Sequence, residues 1–280
     1  MKILVGCPVG LVVVLAGCCI RFGCCGWPQV KFERVVQLSV PMSAGSTFAA
    51  KTHNGSITVT GANAADCNVT ATITGRAMST EDAKKIAEET IIKLDPFGDK
   101  LTAKIERPAL GMNRSVSVSF DVRLPQQSNL ALKTHNGRIQ ITNISGDING
   151  TTHNGKVFAE KVSGSIELRT HNGRIVCQKI SGDTKLKSHN GRIEVVYAKD
   201  APGVCNIEAV THNGRIEFTA PANFSAKAEV KTHNGSINTE LPIKVVGKIS
   251  RRKLSGSIGT GEGTLYLETH NGSIKIKEQK

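Results

Sequence analysis

From Gly137 the chain divides without remainder into six nonapeptides: GRIQITNIS, GDINGTTHN, GKVFAEKVS, GSIELRTHN, GRIVCQKIS and GDTKLKSHN. Glycine opens each one. Two types alternate, one closing on Ile-Ser or Val-Ser and the other on Thr-His-Asn or Ser-His-Asn, so the full period is 18 residues. Apolar residues fall second after the glycine (Ile139, Ile148, Val157, Ile166, Ile175) and often fourth (Ile141, Ala159, Leu168, Cys177, Leu186). Between them stand Arg138, Gln140, Glu167, Arg169, Arg174, Lys185 and Lys187. Alternation at period two describes short strands with one buried face. A meander of hairpins would use Asn-Gly as a type I′ turn, but it gives no reason for two strand types to alternate at identical spacing. A solenoid does, because each coil contributes two strands and like strands stack along the axis at about 4.8 Å. The expected fold class is all-β, a β-solenoid of 18-residue coils.

The same period marks one tripeptide. His-Asn-Gly occurs eight times and accounts for every histidine: His53, His135, His153, His171, His189, His212, His233 and His270. After Gly191 the glycines of successive motifs are 23, 21 and 37 residues apart. Insertions such as AKDAPG and TAPANFS read as loops at one corner, and KVVGKISRRKLSGSIGTGEG as a basic excursion before the final coil. Ser79–Leu94 breaks the pattern. Acidic residues come early, and Ala83, Ile86, Ala87, Ile91 and Leu94 follow helical spacing. Ser79 with Asp82 has the form of a capping box. The expected organisation is an N-terminal β-rich cap over 35–132 with a helix inserted at 79–94, continuous with a regular solenoid over 133–280. Caps are needed because an open end exposes strand edges and core.

The N-terminus carries Lys2 and then ILVGCPVGLVVVLAG, a short charged region before an apolar one. Gly6, Pro8 and Gly10 interrupt it, and it is too short for a confident membrane-spanning helix. It ends in LAGC at Leu15–Cys18, which resembles the lipobox of bacterial lipoproteins. That resemblance implies removal of 1–17, lipidation of Cys18, and a tether over 18–34. Several acyl chains on one cysteine give stable attachment. An ordinary secretory signal or an uncleaved anchor are the alternatives. Cys19 follows Cys18 where an aspartate would signal inner-membrane retention, so the expected location is the envelope, on the periplasmic or outer-membrane face. Five of the eight cysteines precede Trp27, while Cys67, Cys177 and Cys205 are scattered and form no disulfide framework. Cys177 and Cys205 fall at inward positions and read as buried thiols.

A formal net charge of +13 asks for anionic neighbours, such as membrane headgroups, anionic glycans or nucleic acid, unless it serves solubility alone. Aromatics make up only 4% of the chain, so the core is built from Ile, Val, Leu and Ala and the outward faces lack interleaved rings for base stacking. With an export signal as well, nucleic acid is not an expected partner.

DVRLPQQSNLALKTHNGRIQI, the glycines at nine-residue steps, and the closing GEGTLYLETHNGSIKI resemble a bacterial β-strand-repeat family whose members are called adhesins by inference. The likeness covers Val35 to Ile276. It implies an envelope protein, often secreted or anchored, with a β-helical body linked to adhesion or to envelope-stress responses. The family supplies no catalytic residues to carry over.

Three readings of the histidines compete. In the architectural one, glycine supplies positive φ at a corner, asparagine tolerates the left-handed region and bonds along its column, and histidine packs on histidine. The preceding Thr or Ser tucks inward. In the metal reading, stacked imidazoles share a Zn²⁺ or Cu²⁺ ion, but no Asp, Glu or Cys recurs at these turns to complete a site. In the third, the ladder is part of an anion-binding edge. Arg138, Lys156, Arg174, Arg192 and Arg215 follow the glycines, and Lys51, Lys133, Lys187 and Lys231 precede the Thr-His or Ser-His. Neighbouring imidazolium charges repel by about 1 kcal/mol even in water, so an anion would have to compensate them. The expected ligands are anionic glycan or lipid headgroups. Enzyme readings lack a constellation: only Asp147 and Asp183 share a column, two coils apart, whereas a retaining glycosidase pair stands about 5–5.5 Å apart. No metal, cofactor or catalytic residue is assigned. The functional expectation is a non-catalytic, lipid-anchored envelope protein with an adhesin-like or scaffold role. An envelope-stress component sensing membrane or lipid ligands is the runner-up, ahead of a polysaccharide-active β-helical enzyme.

Overall fold

The period-two alternation becomes two sheets of stacked parallel strands. A computed structural model of the chain describes residues 19–20, 29–221, 223–245 and 250–279. The expected signal peptide (1–17) and Cys18 lie outside the described residues. The coil carrying His135 joins strand Asn129–Asn136 to strand Ile139–Ser145. Next come Ile148–Asn154 with Val157–Ser163, Ile166–Asn172 with Ile175–Ser181, and Thr184–Asn190 with Ile193–Tyr197. Ile139 pairs with Val157, then Ile175, Ile193 and Ile216 follow in the same column. All five are buried. So are Ile141, Ala159, Cys177 and Val195, the fourth positions of their units. Each buried large aliphatic side chain stabilises the fold by about 1.5–3 kcal/mol, and identical register lets each one pack on its like above and below.

Each Ile-Ser or Val-Ser strand bends once. Asn143, Lys161 and Lys179 adopt left-handed backbone at φ 60°, 52° and 53°. They drop out of the strand pairing, and the bend turns Ile144, Val162 and Ile180 into the core.

Spatial order departs from chain order at both ends. The His53 coil (Thr47–Asn54 and Ile57–Ala62) stacks directly on the His135 coil, with Thr52 beside Thr134 and Ile57 beside Ile139. The intervening chain builds the cap. Val30–Pro41, Asp66–Ala77 and Ser115–Pro125 pair antiparallel in that order, and the last continues parallel onto Ile57–Ala62. On the other sheet Lys100–Glu106 pairs with Thr47–Asn54 and carries Ile91–Phe97 as its hairpin partner. Strand pairing already involves the stretch read as tether, where Cys19–Ile20 pairs antiparallel with the start of Val30–Pro41.

The far end corrects one expectation. The coil that is last in sequence, Gly263–Asn271 with Ile274–Glu278, is not last in space. It inserts between the His212 coil (Asn206–Asn213, Ile216–Ala220) and the His233 coil (Ala226–Asn234, Ile237–Thr239). The basic excursion returns as Lys253–Ile258, antiparallel to Ala226–Asn234, and covers the edge that the stack would leave open.

The helix is also shorter than expected, running Thr80–Glu89. Asp82 N–H donates to Ser79 Oγ at 3.1 Å, but the Asp82 carboxylate accepts from Arg114 at 2.9 Å, so only half a capping box forms. Ala83, Ile86 and Ala87 face the sheet, where Gly75 admits the Ala83 carbonyl: a Cβ there would stand 2.2 Å from that oxygen. Thr90 ends the helix with extended backbone, and its hydroxyl donates to the Ile86 carbonyl at 2.7 Å. Beyond it Ile92, not Ile91, points inward. Ile91 and Leu94 matched the helical spacing, yet they belong to a strand.

Candidate functional site: the histidine ladder

The corner after each Thr-His-Asn is built by three hydrogen-bonded columns. Inward Thr134 Oγ1 donates to the Gly55 carbonyl one coil back, Thr152 to Gly137, Thr170 to Gly155 and Ser188 to Gly173, at 3.0–3.1 Å. Thr211, Thr269 and Thr232 repeat the contact at 2.8–2.9 Å. Asparagine side chains form the second column. Asn136 Nδ2 donates to Asn54 Oδ1 at 2.9 Å, and the chain runs unbroken through Asn154, Asn172, Asn190, Asn213, Asn271 and Asn234. The backbone supplies the third: Gly137 N–H donates to the Asn154 carbonyl and Gly155 N–H to Asn172, each at 3.1 Å.

These columns correct the expected role of glycine. Of the eight corner glycines only Gly55 has positive φ, at 146°, and none of the corner asparagines is left-handed. Close approach is the actual demand. A Cβ on Gly137, Gly155, Gly173 or Gly191 would stand 1.7–1.9 Å from the carbonyl oxygen of the preceding corner glycine.

Histidine stands outward on this scaffold. The rings stack in the order His53, His135, His153, His171, His189, His212, His270, His233, with centroids 4.6–5.0 Å apart and planes within 10°. All eight are exposed. The ring nitrogens' lone pairs lie in the ring planes, so parallel planes keep neighbouring lone pairs from converging on one ion. Among the described residues no three His, Cys, Asp or Glu side chains gather around a point.

Cations flank the ladder on both sides. Ile57 N–H bonds the Arg138 carbonyl, Ile139 that of Lys156, Val157 that of Arg174, Ile175 that of Arg192, and Ile193 that of Arg215, which stacks the five basic residues coil on coil. On the strand side, two residues before the histidines, Lys51, Lys133, Thr151, Arg169 and Lys187 share a column. Between that column and the five histidines from His53 to His189 runs a groove of 1130 Å³. It is walled at the cap end by Lys104–Arg107, where that strand separates from Thr47–Asn54 after the Ala50–Ala103 pair. No local signal marks this wall, because a long-range strand pairing places it.

Charge neutralisation divides the edge in two. Glu217 pairs with Arg192 at 2.7 Å and Arg215 at 3.1 Å, and Glu208 with Lys187 at 2.8 Å. Burial pushes the Glu217 carboxyl up, but hydrogen bonds from Arg215 and Arg192 outweigh it and hold the group below the ordinary value. The hydrogen bond from Lys187 likewise holds Glu208 low. Lys231 pairs with Glu229 at 2.6 Å. In the strand-side column Arg169, at the His171 coil, pairs with Glu167, whereas among the described residues no carboxylate lies within ion-pair distance of Lys51, Lys133, Arg138, Lys156 or Arg174. The local sequence gives no hint of this division, since Glu208 and Glu217 sit on other strands than Lys187 and Arg192.

Other reactive groups are committed to structure. Asp147 Oδ1 accepts from Ser165 N–H and Asp183 Oδ1 from Asn206 N–H, so both carboxylates bridge coils at the opposite corner. Cys67, Cys177 and Cys205 are buried free thiols, as expected for the latter two, and burial pushes Cys67 and Cys177 up to about 12.

A two-sheet solenoid with one exposed ladder defines the class of protein, and one family model matches it. The chain belongs to the Toastrack DUF4097 family, whose model matches residues 22–277. Comparison with the curated proteins found no match. Among solved structures it is similar to a "putative adhesin" of Bacteroides fragilis at 14% identity and TM-score 0.47, covering 87% of this chain and 97% of that one. It is also similar to a "putative cell adhesion protein" of Clostridium sporogenes, at 10% identity and TM-score 0.41, covering 88% and 100%. A third is a "putative lipid binding protein" of Parabacteroides distasonis, at 12% identity and TM-score 0.38, covering 88% and 97%.

Proposed function

We propose that the protein is a non-catalytic, lipid-anchored component of the cell envelope whose His-Asn-Gly edge attaches it to anionic material, in an adhesin-like or scaffolding role. One observation carries this reading: an exposed ladder of eight imidazoles is bordered on both sides by stacked cations. A column of like charges, unneutralised over several coils, is costly unless an anion meets it. The absence of chemistry is supported by the use of Asp147 and Asp183 as backbone acceptors and by the burial of the thiols. Anchoring rests on the LAGC sequence at Leu15–Cys18.

Two experiments test it. Cys18→Ser should abolish incorporation of labelled palmitate and release the protein from the membrane fraction; unchanged labelling would refute the anchor. Reversing Arg138, Arg174 and Arg192 to glutamate should remove binding of the full chain to anionic polysaccharide or anionic vesicles and reduce cell attachment. Attachment unchanged, with altered susceptibility to membrane-active peptides, would instead favour a stress-sensing role.

A further inference from the structure

We infer that the edge is not a uniform surface but a directional site, in which a linear anionic polysaccharide lies lengthwise in the groove over the cap-proximal coils, from His53 to His171. The inference rests on the functional reading above and adds its ligand class and register. Three observations converge. The unpaired cations all belong to the coils of His53 to His171: Lys51 and Lys133 line the groove, and Arg138, Lys156 and Arg174 stand across the ladder from it. In the groove column neutralisation begins with Arg169, which Glu167 pairs at the His171 coil, and from His189 onward the flanking cations on both sides meet the protein's own carboxylates, Glu208, Glu217 and Glu229, which occupy the place a ligand's acid groups would take. The groove itself runs along the axis and is closed at the cap end by Lys104–Arg107.

Shape selects the ligand. A groove bounded by two rows of side chains and running along the axis suits a single extended chain better than a flat bilayer. Its rungs repeat at 4.7–4.8 Å from His53 to His189, close to the advance of one sugar along an extended uronate chain. Its carboxylates then meet Lys51 and Lys133 within the groove and, across the ladder, Arg138, Lys156 and Arg174. Each corner asparagine spends one amide hydrogen on its neighbour, which leaves the other for a sugar hydroxyl, and the imidazole edges supply further donors and acceptors. Binding of this kind weakens as salt rises.

The test uses the full chain in detergent, titrated with polygalacturonate, with neutral dextran of similar length, and with phosphatidylglycerol vesicles. Polygalacturonate should bind and dextran should not. Lys51→Glu with Lys133→Glu and Arg138→Glu should weaken binding about ten-fold or more. Glu208→Gln with Glu217→Gln, which frees Lys187, Arg192 and Arg215, should strengthen it several-fold. This gain cannot come from misfolding, so it stands if the triple variant proves unstable. Equal losses from reversing cap-side or distal cations, or no gain from the glutamine pair, would overturn the directional site. Binding of vesicles but not polygalacturonate would overturn the ligand class while sparing the anionic edge. Binding of neither would sink the functional reading itself.

Discussion

His270 stacks on His212 with ring centroids 4.7 Å apart, although His233 lies between them in the sequence. The final coil has therefore entered a space that two earlier coils border. Its strand Gly263–Asn271 pairs with Asn206–Asn213 on one side and Ala226–Asn234 on the other. A chain ended before Gly263 should lose more than its last coil. The amides of Ala226–Asn234 that bond Gly263–Asn271 should lose protection in the truncated chain, while those facing Lys253–Ile258 keep their antiparallel partner; protection retained on both sides would mean that this strand can pair directly with Asn206–Asn213.

Corner glycine is required by contact, and alanine tests that. Gly155→Ala would set a Cβ 1.8 Å from the Gly137 carbonyl oxygen. Backbone on backbone cannot yield cheaply, so a loss of about 3 kcal/mol or more is expected from denaturant unfolding. Gly111→Ala, with no heavy atom within 4 Å and no positive φ, should change stability by roughly 0.5 kcal/mol or less. Equal effects at the two sites would contradict the packing argument.

The opposite bend holds removable strain. Lys161 and Lys179 are left-handed at φ 52° and 53°, where a lysine costs about 1–2 kcal/mol and asparagine less. Asn143 already occupies the equivalent place, and its amide donates to the Gly61 carbonyl at 2.9 Å. Lys161→Asn and Lys179→Asn should each raise the melting temperature, with a gain of about 0.5–1 kcal/mol. A fall in melting temperature would show that the lysine side chains contribute more than the backbone strain removes.

The distal glutamates link stability to pH. Glu217 faces Arg192, Arg215 and Lys277, with Glu194 sharing Arg192. Its carboxyl is held below the ordinary value, so its contribution is present above the unfolded-state pKa and is lost as pH falls through the folded one. At neutral pH Glu217→Gln should cost about 1 kcal/mol or less. In acid the two proteins should converge. A gap that stays constant with pH would remove the ion pairs from the account.

How much of this was legible in the sequence depends on the range of the cause. Ile139, Ile141 and Thr134 announce their inward direction by period two, and the 18-residue recurrence of His-Asn-Gly gives both the coil and the ladder. The bend at Lys161 and Lys179 was hidden because lysine carries no turn signal; its stacking beneath Asn143 is visible only once the coils are in register. Ile91 and Leu94 fit a helical spacing yet lie in a strand, because a strand's apolar residues can fall by chance on that period. The insertion of the His270 coil and the neutralisation of Arg192 by Glu217 are long-range, so no local pattern encodes them.

Because every histidine belongs to the ladder, a carbon-13 spectrum of the imidazoles reports the edge and nothing else. The most direct test of the central claim is to follow those eight signals while polygalacturonate is added. The account predicts shifts at His53, His135, His153 and His171, little change at His212, His270 and His233, and none with neutral dextran. Signals that stay fixed throughout, or that move most at His233 and His270, would contradict it.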